Sequence, residues 1–216
     1  MPTPSQVPRA GLGERLLLRF SEGRVIDGLW IGTPESQSED ILHRVEQALL
    51  LIKTHDHRRY DRLRRDLVRV WVHLLSGEIG CFNAALRACE IDPRFVLRSS
   101  ITPSDVAAVI THEATHARLE QCGIRYSKDR RHRIEGVCYR QEIVFAKRLP
   151  DGTAVRQRAE RMLGKGPEFW SDASCEEQLV VEEHIEALRY LGAPEWLLSV
   201  FRTGQALIRK VRSLLK

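Results

Sequence analysis

Two histidines four residues apart, with a glutamate directly after the first, constrain this chain more than any other feature: His112-Glu113-Ala114-Thr115-His116. On a helix both imidazoles project from one face, close enough to hold one metal ion, and Glu113 can reach a water bound beside it. The spacing works only if the segment is helical. It also requires that another part of the fold bring a further donor to the same point.

Thr102 or Ser104 can start such a helix, which runs to about Cys122 with Gly123 in the C-terminal capping position. At 100° per residue His112, Glu113 and His116 share an arc with Val106, Val109 and Leu119, and Thr111, Thr115, Arg118 and Cys122 take the opposite side. Three polar groups on an apolar face are costly unless something satisfies them. A lone buried histidine is explained by a hydrogen bond, but two at this spacing with Glu between them are better explained by a metal. Catalytic zinc takes three protein ligands and keeps one position for water, so a third ligand is expected downstream. A second helix, from about His132 to Leu149, offers Glu135 and Glu142 about two turns apart. Both carboxylates lie among Ile134, Cys138, Phe145, Ala146 and Leu149, while Arg133, Arg140 and Lys147 face the other way. Either could serve.

The composition permits this and excludes several alternatives. At 216 residues, 43% hydrophobic and 29% charged, the chain suits one soluble globular core. No apolar run approaches the length that spans a bilayer, so no membrane partner is expected. Met1 to Pro8 is proline-rich and has no charged segment followed by an apolar one, so it reads as a loose tail and not a secretion signal. Five cysteines (Cys81, Cys89, Cys122, Cys138, Cys175) form no C-x-x-C pair. The odd count argues for a reducing, cytoplasmic setting, with each thiol a buried small hydrophobe. The net charge of +5 and pI near 9.1 allow an acidic partner. The basic clusters at Arg58-Arg59, Arg62 to Arg65 and Lys128 to Arg133 lack interleaved aromatics, however, so they read as solvated faces and nucleic acid is not the expected partner.

No internal repeat is evident, and residues 1–11 read as the tail of a single domain spanning 12–216. Glu14 to Phe20 and Arg24 to Ile31 suggest a hairpin around Ser21-Glu22-Gly23. A helix is expected from Ser38 to about Thr54, with Ile41, Leu42, Val45, Leu49 and Ile52 inward. Val68, Val70, Val72 and Leu74 alternate with Arg69, Trp71 and His73 as in a strand. Cys81 to Ala88 suits a strand or short helix, and Ile91 to Leu97, containing Pro93, suits an edge strand. Beyond Thr153 further helices are expected, broken at Gly164 to Pro167 and at Gly192 to Pro194. Strands first and helices later imply an α+β fold.

The motif set resembles the gluzincin metallopeptidases. In their aminopeptidase-like branch H-E-x-x-H is followed, after eighteen residues, by Glu and Gly. Here eighteen residues separate His116 from Glu135, and Gly136 follows. The likeness covers about residues 100 to 150 and implies a compact zincin-like member. Such a member has a small mixed or antiparallel sheet in the N-terminal half, an active-site helix and a largely helical C-terminal half. It implies Zn2+ held by His112, His116 and Glu135, and hydrolysis of peptide or protein substrates with Glu113 as general base. The branch's Gly-x-Met-Glu-Asn-type segment has no counterpart between Gly77 and Ala88, so exopeptidase specificity does not carry over. Glu142, followed by Phe145-Ala146, is similar to the third ligand of another compact branch and is the alternative. Whichever carboxylate is not the ligand is expected to orient a ligand histidine.

Tyr139, one turn past Glu135, is the first candidate for an oxyanion donor, ahead of Tyr126, His132 and His184. His43, His55, His57 and His73 show no partner pattern. Two rival readings differ in class: a catalytically silent zincin-like regulatory or interaction protein, and a basic nucleic-acid-associated protein in which the motif is accidental.

Overall fold

Asp27 and Gly28 both take positive φ, 50° and 84°, the conformation of a two-residue hairpin turn that Asp-Gly favours. They join β1 (Glu22–Ile26) to β2 (Leu29–Thr33) in an antiparallel pair. The hairpin therefore lies further along the chain than the sequence suggests. Glu14 to Phe20, expected as its first strand, falls in and at the end of helix α1 (Leu12–Arg19). The Gly11 N–H donates to the Glu14 carboxylate at 2.7 Å and caps the first turn, and Leu16-Leu17-Leu18 lacks the alternation a half-buried strand needs. The structure is a computed structural model and describes residues 10–75, 77–170 and 182–199.

From β2 the chain enters α2 (Ser38–His55), which buries Ile41, Leu42, Val45, Leu49 and Ile52 as its periodicity predicts. Asp56 then caps α3 (His57–Asp66) by accepting from the Arg59 N–H at 3.2 Å. Helix α3 has no counterpart in the sequence expectation, because arginines at five of its ten positions mask the apolar pair Tyr60 and Leu63, three residues apart and both buried. Arg58, Arg62, Arg64 and Arg65 are exposed, as a solvated face should be. Arg59 is the exception: it is buried, bonded to Asp56 at 3.0 Å and to Gln141 at 3.2 Å.

β3 (Arg69–Val72), β4 (Gly80–Asn83) and β5 (Ala88–Ile91) complete a five-stranded sheet in the order β1-β2-β3-β5-β4. β2 and β5 run parallel to β3, and the outer strands β1 and β4 are antiparallel to their neighbours. The protein is thus a mixed α+β fold. Ile91 to Leu97 is not an edge strand. β5 ends at Ile91 inside the sheet, and Pro93 opens helix α4 (Pro93–Leu97) behind the N-cap Asp92, where a missing N–H costs nothing. The edge beside the later helices is β4.

Register carries Ile31, Val70, Cys89 and Phe82 across one face of the sheet. That face meets α2 and α5 (Pro103–Gln121) in the main core, with Val106, Ala107, Ile110 and Ala117 contributed by α5 and Phe145 by α6 (Arg131–Ala146). Each of the fully buried Val, Ile and Phe side chains among these contributes roughly 1.5–3 kcal/mol, the alanines less. The reverse face carries Gly32, Trp71, Glu90 and Cys81 in register. There Glu90 accepts from Asn83 at 2.8 Å and lies 3.2 Å from His73 Nε2, so His73 has a partner that the sequence pattern does not reveal. After α6 come α7 (Thr153–Leu163), a 3-10 turn at Pro167–Trp170 and α8 (Glu182–Tyr190).

Cys89 and Cys138 are buried and Cys81 half-buried, but Cys122 is exposed at the end of α5, contrary to the expectation that every thiol is a core hydrophobe; Cys175 lies outside the described residues. Among the described residues no helix is long and apolar enough to cross a membrane.

Candidate metal centre

Helix α5 starts where a strong capping box places it. Thr102 Oγ1 accepts from the Asp105 N–H at 3.3 Å, the Thr102 N–H donates to Asp105 Oδ2 at 2.9 Å, and Pro103 occupies the first turn. Arg158 of α7 bonds the same carboxylate at 2.8 Å. Burial pushes the Asp105 pKa up, but the bonds from Thr102 and Arg158 outweigh it and hold the carboxyl below its usual 3.8. At the far end Gly123, with φ of 78°, closes a Schellman turn: its N–H reaches the Glu120 carbonyl and the Ile124 N–H reaches that of Leu119. The chain then reverses through the Lys128–Arg130 3-10 turn into α6, which packs along α5.

This packing brings His112, His116, Glu135 and Glu142 together. Glu135 bridges both histidines, with Oε2 3.1 Å from His112 Nε2 and Oε1 3.5 Å from His116 Nε2. Glu142 Oε1 lies 2.5 Å from the other nitrogen of His112, Nδ1. His112, Glu113, Glu135 and Glu142 are all at most 8% exposed. The opposite side of α5 is buried too, since Thr111 is inaccessible and Thr115 nearly so. The helix is therefore enclosed on most sides, and the expected division into an apolar and a polar face does not hold. The expected division holds on α6, where Arg133, Arg140 and Lys147 are exposed and the two carboxylates are buried.

Electrostatics separates the roles. Desolvation alone would lower the His112 pKa, but hydrogen bonds to Glu135 and Glu142 prevail and hold it well above its usual 6.5. Burial and the neighbouring His112 charge push His116 down to about 4, leaving a neutral imidazole. Burial pushes Glu113 up to about 8, opposed by His112 and reinforced by Glu135. Burial acts against the Glu135 carboxylate as well, but the bond and charge of His112 outweigh it and keep its pKa below 4.5.

The donor set fits a small divalent cation. Tetrahedral zinc with ligands at about 2.0–2.1 Å separates neighbouring N and O donors by roughly 3.3 Å, and the two Glu135 distances of 3.1 and 3.5 Å bracket that value. A sulfur stands beside the same two histidines, in a grouping that does not include Glu135. Donor atoms of His112, His116 and Cys138 all lie within 4.8 Å of one another. Cys138 shares the stripe of Glu135 and reads from the sequence as a packing residue; its position one turn past Glu135 is the signal that the sequence offers for it.

Aromatic side chains wall the site. Tyr139 presents its edge to the His112 ring at 4.8 Å between centroids, and Tyr126 does the same to His116 at 5.5 Å. Tyr126 also hydrogen-bonds Glu135. Trp170 lies 5.9 Å from Tyr139, and its carbonyl accepts from Arg131. His132 is exposed, and the His184 side chain lies outside the described residues. Strand β4 passes close to the motif: a methyl placed on Gly80 would come 2.7 Å from Val109 Cγ1 and 3.5 Å from Glu113 Oε1. A shallow cavity of about 790 Å³ lies elsewhere, lined by four arginines of α3 and Arg148 with Asp56 and Asp61. Its charges belong to the solvated face and none of the metal donors lines it.

Comparisons with protein-family models, with curated proteins and with solved structures find no match to this chain.

Proposed function

We propose that this chain is a zincin-like, zinc-dependent metallohydrolase acting on peptide or protein substrates. One observation carries the reading: a single buried carboxylate, Glu135, lies between the Nε2 atoms of two histidines at ligand-like separations. His112, His116 and Glu135 would hold the ion, and Glu142 would fix the His112 ring through Nδ1. When bound, the ion supplies Lewis acidity, making water nucleophilic near neutral pH and polarising a carbonyl.

The remaining work falls to the chain's own side chains. Glu113 is buried beside the histidines, and burial raises its pKa to about 8; in its ionised form it can take a proton from water and return it to a leaving amine. Tyr139 and Tyr126, each with its ring against one of the two imidazoles, are the candidate hydroxyl donors to an oxyanion, and Tyr126 is already bonded to Glu135.

Metal analysis beside a peptide-library assay tests this. The wild type should bind about one zinc per chain, His116→Ala should lose it, and Glu113→Gln should keep it while hydrolysis falls by roughly 10²–10⁴-fold. Full activity in Glu113→Gln, or no zinc in the wild type under zinc-replete conditions, would overturn the proposal. The catalytically silent reading is favoured by one observation, the closeness of Cys138 to His112 and His116, which offers a further protein donor. Stoichiometric zinc without cleavage of any library member would support it.

A further inference from the structure

The metal site proposed above draws three donors from His112, His116 and Glu135. A tetrahedral ion has four positions, and what occupies the last one decides its chemistry: water leaves the site catalytic, a fourth side chain closes it. Four features converge on Cys138 as the protein's own occupant.

Its place on α6 is the first. Glu135, Cys138 and Glu142 follow one another at three- and four-residue intervals, so the thiol rises from the same stripe as the two carboxylates that hold His112. Distance is the second. The Cys138 sulfur and the donor nitrogens of both histidines fall within 4.8 Å of one another. With Zn–S near 2.3 Å and Zn–N near 2.1 Å, the N···S separation around one tetrahedral ion is roughly 3.6 Å. A shift on the order of 1 Å, within reach of a side-chain rotation, would bring all three to bonding distance. The third is burial. Cys138 is fully buried, so its sulfur is enclosed by protein and not open to solvent. The last is the chemistry of the donor set: two imidazoles with a thiolate select a borderline-soft ion such as zinc over magnesium or calcium.

We infer that Cys138 is a metal donor of this centre, completing a His112, His116, Glu135, Cys138 set and competing with water for the fourth position. The thiol releases its proton to solvent as the sulfur–metal bond forms; no electrons are transferred. Hydrolysis then requires the sulfur to withdraw, so the closed four-donor form is a latent state of the same site. The inference rests on the metal-binding reading above, and the experiment separates the two.

Cobalt(II) replaces zinc in such sites and reports its ligands directly. The full-length chain would be titrated with Co2+, reading both the d–d bands and the intense near-ultraviolet sulfur-to-cobalt charge-transfer band. The expected result is one Co2+ per chain with that band present, and loss of the band in Cys138→Ala while one Co2+ still binds. Cys138→Ser, which preserves size, gives the same readout if Ala perturbs packing, and thermal unfolding of both variants verifies the fold. Cys81→Ala should leave the band intact. One Co2+ per chain with no charge-transfer band, or a band that survives both Cys138 substitutions, overturns the assignment of Cys138 and leaves the metal reading standing. Failure of the wild type to bind Co2+ or Zn2+ overturns both.

Discussion

Glu142 holds the Nδ1 side of His112, and by doing so it determines that Nε2 is the nitrogen turned toward Glu135 and His116. The two carboxylates of α6, indistinguishable by residue type, thus have separate places: one beside both donor nitrogens, one behind a single ring. Glu142→Gln should therefore keep one zinc per chain but weaken it by about 10–100-fold, the usual cost of losing a partner behind a ligand histidine. Glu135→Gln should remove stoichiometric binding. Chelator-competition titrations of both variants decide it, and the reverse ranking would exchange the two roles.

Zinc binding should release protons. Without metal, His112 donates to carboxylates from both nitrogens and its pKa stands well above 6.5, so it is charged at neutral pH. A cation at Nε2 must displace that proton. Affinity should rise with pH, by about tenfold per pH unit for each proton released, as long as pH stays below the raised His112 pKa. Calorimetry in two buffers of different ionisation enthalpy measures the number; identical heats in both buffers would contradict it.

Asp105 sets the start of the motif helix, and its loss should be felt as stability. Asp105→Asn is expected to cost about 1–3 kcal/mol at pH 7, from the cap and the charged bond to Arg158. Because the folded-state pKa lies below 3.8, the stabilisation is complete above about pH 4 and disappears as pH falls through the folded value. Urea unfolding of wild type and variant should show a gap at pH 7 that narrows toward pH 3. A gap independent of pH would remove the electrostatic explanation.

Gly80 allows β4 to run against α5. A Cβ there would press on Val109 at 2.7 Å and approach the Glu90 carbonyl at 3.2 Å, neither of which can yield as a flexible side-chain end would. Gly80→Ala should lower stability by about 1–3 kcal/mol and shift β4 away from Glu113, with zinc stoichiometry unchanged. Equal urea midpoints for wild type and variant would show that the contact relaxes freely.

What the sequence revealed followed from local physics. The spacing of Ile41, Leu42, Val45, Leu49 and Ile52 is enough to draw α2, and Thr102, Pro103 and Gly123 bound α5 to within a residue or so. The pairing of α5 with α6 was legible because buried carboxylates on one helix answer buried imidazoles on another. Other features depended on choices between local signals. Asp27-Gly28 outweighs Ser21-Glu22-Gly23 as a turn because both residues adopt positive φ. Asp92 before Pro93 is a helix start, and reading Pro93 alone suggested an edge strand. Glu90 and His73 meet only through sheet register, which no single segment encodes. Cys138 was visible on its stripe, but a thiol carries no charge to mark it as misplaced among apolar neighbours.

All the proposed donors lie between His112 and Glu142, on two helices joined by the short connection from Cys122 to Arg130. A helical hairpin of this kind closes a small loop, and small loops close early in folding because little chain entropy is lost. The donors can therefore converge before β2 pairs with β3, tens of residues further along the chain. An ion captured at that stage would act as a template for the rest of the chain, so the refolding rate, and not only the final stability, should depend on whether metal is present from the start.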